Sequence, residues 1–106
     1  MSDNAFGLVE QGMRLAQLRA AVLAEDTANA RTPGFVARDV SPKLEVSPSG
    51  IRFATAMLVA EKPGEMGTIE RAMGATAENA MRFRALAVQE RAMLREFRSV
   101  AEDARR

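Results

Sequence analysis

Apolar residues recur along this chain in two long stretches with alternating three- and four-residue spacing, separated by a segment that keeps neither period. In the first stretch Phe6, Val9, Met13, Ala16, Ala20, Leu23 and Thr27 form a heptad-type seam, which predicts one helix from about Asp3 to Ala30. Leu8, Leu15, Leu18 and Val22 make a second apolar row on another side of the same helix. The polar remainder is a narrow stripe through Glu10, Arg14 and Gln17, with Glu10 and Arg14 placed as an i,i+4 pair. Ser2 or Asp3 supplies an N-cap. In the last stretch Ile69, Met73, Thr76, Ala80, Phe83, Ala87, Glu90, Leu94, Phe97 and Ala101 keep the same spacing from about Thr68 to Arg105. Leu86, Met93 and Val100 add a row at intervals of seven, and Thr68 stands as the cap with Glu70 in the first turn. At 1.5 Å per residue the two helices would be roughly 40 Å and roughly 55 Å long.

The middle segment, about Arg31 to Gly67, holds all four prolines. It opens with Thr32-Pro33-Gly34-Phe35, where Pro33 sets φ near −65° and Gly34 is free to take positive φ, the pattern of a type II turn. Pro33 also disfavours helical geometry at Thr32, so the first helix must end before it. Lys43 to Val46 and Ile51 to Ala54 flank Ser47-Pro48-Ser49-Gly50, a hairpin signal. Phe53 to Glu61 suits a short helix or a strand equally. The reading is all-α in class: residues 1–30 as N-terminal helix, 31–67 as irregular or hairpin middle, 68–106 as C-terminal helix, one structural unit. The helices form an antiparallel coiled-coil-like pair. Helices apolar on two sides need neighbours on two sides, so packing between subunits is the economical way to cover the remaining faces.

Composition narrows the function classes. With 106 residues the chain has room for one modest core. Fifteen basic and fourteen acidic residues leave a net charge of +1, which does not call for nucleic acid or an anionic membrane as main partner. The arginine-rich tail from Arg82 carries Glu90, Glu96 and Glu102 among its bases and reads as a solvated face. There is no cysteine, histidine, tryptophan or tyrosine, so thiolate and imidazole chemistry and the commonest zinc ligands are excluded, and only five phenylalanines carry aromatic bulk. Met1 to Phe6 contains no basic n-region followed by an apolar run, and no segment has the roughly 20 apolar residues of a membrane span.

Catalytic constellations are also missing. The two lysines, Lys43 and Lys62, lie in the irregular middle without a partner base in the pattern. Asp26 with Glu25, and Glu78 with Glu70, read as members of surface ion pairs rather than as an acid–base couple. Gly64, Gly67 and Gly74 lack the lysine and preceding strand of a phosphate loop, and no acidic stretch has a calcium-loop pattern. Met13, Met73 and Met93 sit at helical spacing and read as packing residues rather than as a peptide groove. No enzyme activity, cofactor, metal or small-molecule substrate is expected.

The segment Asp26-Thr27-Ala28-Asn29-Ala30-Arg31-Thr32-Pro33-Gly34-Phe35 resembles the signature of the flagellar basal-body rod and hook family, in which the first helix ends in Ala-Asn-x-x-Thr-Pro-Gly-aromatic. The continuation Val36-Ala37-Arg38-Asp39-Val40 is similar to proximal-rod members. Ala77-Glu78-Asn79-Ala80-Met81-Arg82-Phe83-Arg84-Ala85-Leu86 resembles their C-terminal helix, where Glu-Asn precedes an aromatic and then Ala-Leu. The two matches stand in the right order and together cover about a quarter of the chain. Family members usually carry asparagine and a branched apolar residue where this chain has Asp26 and Thr27, and often tyrosine at the place of Phe83.

The resemblance implies a structural subunit that is exported without a cleaved signal through the flagellar type III apparatus. It implies assembly through terminal helices into a rod that crosses the periplasm in the basal body. Partners would be further copies, other rod proteins, the export gate and the membrane ring. The turn motif is then Asn29, Thr32, Pro33, Gly34 and Phe35. The assembly interface is Phe6, Val9, Met13, Ala16, Ala20 and Leu23 on the first helix, and Ile69, Met73, Ala80, Phe83, Leu86, Ala87, Leu94 and Phe97 on the second. A small helical adaptor that binds a partner helix is the alternative; it predicts a stable monomer.

Overall fold

A computed structural model describes residues 3–59 and 64–105. Four elements follow in chain order: α1 (Asp3–Ala28), β1 (Arg38–Ser47), β2 (Gly50–Val59) and α2 (Gly64–Ala104). The molecule is mostly helical, with one small antiparallel hairpin, and is long and flat at 65 × 28 × 14 Å. Ser2 as a cap, Lys62 and the 60–63 end of the middle segment lie outside the described residues.

The 26 residues of α1 and 41 of α2 correspond to lengths of roughly 39 Å and roughly 61 Å. Their contacts run in opposite directions along the two sequences. Phe6 meets Phe97 with ring centroids 5.7 Å apart, and Asn79 bonds the Ala16 carbonyl at 2.8 Å. Val9, Ala16 and Leu23 of α1 are buried, as are Ala72 and Met93 of α2. Thr68 lies inside α2 and is buried, so it is not the cap expected of it, and Glu70 is not in the first turn, because the helix begins four residues earlier at Gly64.

α1 stops at Ala28, where four-residue bonds give way to three-residue ones, Ala30 N–H to Thr27 O and then Thr32 N–H to Asn29 O, ahead of Pro33. Thr27 Oγ1 donates to the Leu23 carbonyl at 3.1 Å, and both the main-chain and side-chain N–H of Asn29 donate to the Glu25 carbonyl at 3.0 Å. Two further turns follow. Thr32 N–H reaches Asn29 O at 2.9 Å, and Phe35 N–H reaches Thr32 O at 3.1 Å with Gly34 at φ +77°, as a type II turn requires.

The hairpin is longer than its sequence signal. It pairs Arg38 with Val59 at its base and Ser47 with Gly50 at its tip, so the stretch from Phe53 that suited helix or strand is strand through Val59. The Ser47 hydroxyl donates to the Gly50 carbonyl at 3.2 Å across the Pro48-Ser49 turn. Counting back from that closing pair, Arg38, Val40, Pro42, Leu44 and Val46 occupy the positions whose amides point away from β2. Pro42 is tolerated mid-strand because it sits at one of them. Arg38 N–H is taken up by Asp26 Oδ1 at 3.0 Å and Val40 N–H by Asp39 Oδ1 at 2.7 Å. On β2, Phe53 N–H donates to Gln11 Oε1 of α1 at 3.1 Å.

Candidate assembly surface

The residues that fasten the three layers are polar. Arg19 of α1 is buried and grips Asp39 of β1 with two bonds, Nε to Oδ1 at 2.9 Å and Nη2 to Oδ2 at 3.1 Å. Its Nη1 reaches Glu78 of α2 at 3.4 Å, and the same Glu78 oxygen meets Arg82 at 2.8 Å. The hydrogen bond that Arg19 donates to Asp39 raises the Arg19 pKa, against the opposing effect of burial. For Asp39 burial pushes upward, but the Arg19 bond, the Val40 N–H and the Arg19 charge together hold the carboxyl below the ordinary aspartate value. Beside this network Gly12 is buried where a Cβ would come within 3.1 Å of Leu86 Cδ1 and 3.3 Å of Phe53 Cε2. The missing side chain lets α2 and the hairpin approach α1 together, and a mostly apolar cleft of about 340 Å³ remains between the three elements.

The fourteen residues expected at the assembly interface divide into three sets. Val9, Ala16 and Leu23 are buried in the chain's own core; Leu23 is 1% exposed, so no neighbour reaches it without opening the helix pair. Phe6, Met13, Ile69, Phe83, Leu86, Ala87 and Phe97 are half-buried, with one side committed to the helix pair or the hairpin. Ala20, Met73, Ala80 and Leu94 are exposed; Met73, read from the sequence as a packing residue, is 65% exposed.

Of the exposed set, Leu94 lies apart beside Arg91 and Arg98, and Ala20, Met73 and Ala80 lie along an open groove between the helices. One end is bordered by Ala20, Ala24 and Thr27 of α1 and Met73, Thr76 and Ala80 of α2, with a volume of about 640 Å³. It continues through Ala20 and Ala80 into a stretch of about 510 Å³ bordered by Ala16, Gln17, Phe83 and Ala87. Most of the side chains along it are alanine or threonine, with Gln17, Met73, Phe83 and Arg84 among them, so the floor is shallow and can admit the ridge of another helix. Exposed Met81 and Val88 lie further round α2, and exposed Val100 follows Leu86 and Met93 on the row that faces α1. Asn29, Thr32, Pro33, Gly34 and Phe35 shape the turn that leaves α1, and Glu25 pairs with Arg38 across it at 3.0 Å. Asp26, read as a surface carboxylate, is instead 1% exposed, because it holds the start of β1. Glu25 and Glu78 do form ion pairs.

Hydrophobic spacing did not reveal Arg19, Gly12 or the role of Asp26. The signal that finds them is the three-four alternation of Val9, Gly12, Ala16, Arg19, Leu23 and Asp26, followed regardless of polarity. Among the described residues no cluster of histidine, cysteine or carboxylates has the grouping to hold a metal, and no helix is long and apolar enough to cross a membrane. Comparison with known proteins finds no matching family model, no similar curated protein and no similar solved structure.

Proposed function

We propose that this chain is a structural subunit of the bacterial flagellar basal-body rod, most like the proximal-rod member FlgB. It assembles with further copies and other rod proteins through coiled-coil-like packing of its two helices. The reading rests on the two sequence segments that resemble the family at the end of α1 and in α2. The single structural observation that supports it is the open small-residue groove between α1 and α2, which leaves Ala20, Met73 and Ala80 uncovered on a helix pair otherwise closed around its own core. Neighbouring helices seated in that groove would lock subunits along continuous seams, as a torque-bearing shaft needs. The chain's place would then be the periplasm-spanning basal body, reached without a cleaved signal, with the export gate and membrane ring at one end. It would act by packing, without catalysis or cofactor.

A helical adaptor uses the same groove differently, as a monomer that takes one partner helix. Ala80→Glu in the groove, introduced at the native locus, tests both. The rod reading expects normal protein level, no rods in purified basal bodies and loss of swimming. Normal rods and swimming in that strain would count against it, and a wild-type chain that stays monomeric at high concentration while binding one helix would favour the adaptor.

A further inference from the structure

We infer that the outward face of α2 docks an acidic amphipathic helix of a partner protein. Arg84, Arg91, Arg98 and Arg105 recur every seven residues, and Arg95 falls between them. The residues of α2 that face α1 also recur at seven, through Ala72, Asn79, Leu86 and Met93. At 3.6 residues per turn the arginine row stands roughly 150° around the helix from that core, pointing away from α1. All five arginines are exposed, and among the described residues none makes an ion pair, whereas Arg19, Arg38, Arg52 and Arg82 each do. Of the acidic residues interspersed in the sequence, Glu90 is half-buried on the row of Phe83 and Phe97, and Glu96 with Asp103 falls about 80° or more from the stripe. Only Glu102 shares it.

The spacing and the neighbours of the arginines choose the occupant. A seven-residue repeat advances about 10.5 Å along the axis, the interval at which a second helix returns the same side chain. Exposed Met81 and Val88 lie in the stripe and Leu94 beside it, so apolar contacts alternate with cations, as along the flank of a helix–helix seam. A phosphate backbone offers nothing for those apolar side chains to bury against. The stripe carries no aromatic ring for stacking bases or anchoring in a lipid interface. Carboxylates on the partner at heptad spacing would meet the arginines in sequence, so charge sets register and orientation while Val88 and Leu94 supply the apolar contact. This docking is independent of the rod reading; the stripe adjoins the groove, which Arg84 also borders, while Arg91, Arg95 and Arg98 continue along α2 beyond it.

The test titrates the full-length chain into a fluorescein-labelled synthetic helix of about four heptads, with Leu at a and d and Glu at e and g, read by anisotropy at low salt. Parallel arms use the same peptide broken by two prolines, a short DNA duplex and phosphatidylglycerol vesicles. The intact helix is expected to bind, with affinity falling about tenfold or more in the Arg91→Gln, Arg95→Gln, Arg98→Gln variant. Arg14→Gln on α1 leaves binding unchanged. Val88→Glu, which keeps every arginine but opposes the peptide's charge, also weakens it and decides the matter should the triple variant lose helicity. No binding, equal binding by the variants, or equal binding of the broken peptide overturns the proposal. Tighter binding of DNA or vesicles than of the helix overturns it in favour of a polyanion or membrane surface. Retained peptide binding by the Ala80→Glu protein, even where rods are lost, separates this surface from the assembly groove.

Discussion

Asn79 donates its side-chain amide to the main-chain carbonyl of Ala16 across the helix pair, at 2.8 Å and out of reach of water. That carbonyl belongs to the middle of a helix, so Asn79 adds a second bond to an acceptor already engaged. It can do so only because Ala16 presents a single methyl group. The bond fixes the axial register of α2 against α1, which apolar contacts alone leave free to slide by a turn.

Asn79→Ala is therefore expected to cost about 1–2 kcal/mol, from the lost hydrogen bond and the small void. Denaturant unfolding of the chain measures it, and an unchanged midpoint would show that the bond does not fix the register.

Gly34→Val tests the turn. At φ +77° a β-branched side chain is strained even though open space surrounds the position. A loss of about 1–2 kcal/mol is expected, with Gly34→Ala nearer about 1 kcal/mol. Thermal melting of the two variants checks the order.

Acid should loosen the hairpin. The Asp39 pKa is depressed in the folded chain, so the unfolded chain binds its proton first as pH falls. Its contribution to stability is fully present above the ordinary aspartate value of about 3.9 and is lost as pH drops through the lower folded value. Asp39→Asn should be less stable than wild type at neutral pH, and the gap should close in strong acid. Unfolding midpoints measured across that range decide it; a constant gap would remove Asp39 from the account.

Folding and assembly should separate by position. Leu23→Asp puts an unpaired carboxylate in the core and should unfold the chain, at a cost on the order of 3 kcal/mol or more. Ala20→Glu, exposed in the groove, should leave circular dichroism unchanged while abolishing concentration-dependent assembly. Equal helicity in both variants would mean that Leu23 is not the core residue its burial makes it.

The two helices and the turn between them were legible because apolar period, Pro33 and Gly34 act locally. The face of α2 was legible only in part: Leu86 and Met93 were read as a second row, not as the contact row. The apolar seam drawn through Met73, Ala80 and Leu94 runs beside the true contact row of Ala72, Asn79, Leu86 and Met93. Alanine on so many sides makes neighbouring rows nearly equal in hydropathy, and a buried asparagine breaks the row that wins. Arg19 was hidden for the same reason: its burial depends on Asp39 and Glu78, each distant in sequence. The hairpin was under-read because alternation weakens at Pro42, whose tolerance depends on which way its nitrogen points.

That nitrogen has a consequence for how copies of the chain meet one another. A lone hairpin exposes two strand borders, each a template for runaway strand-on-strand growth between molecules. On β1, from Arg38 to Pro42, the outward donors are already spoken for by Asp26 and Asp39 or absent altogether. A second molecule arriving there finds no ladder to join. At high local concentration that half of β1 is therefore closed to strand-on-strand growth between molecules.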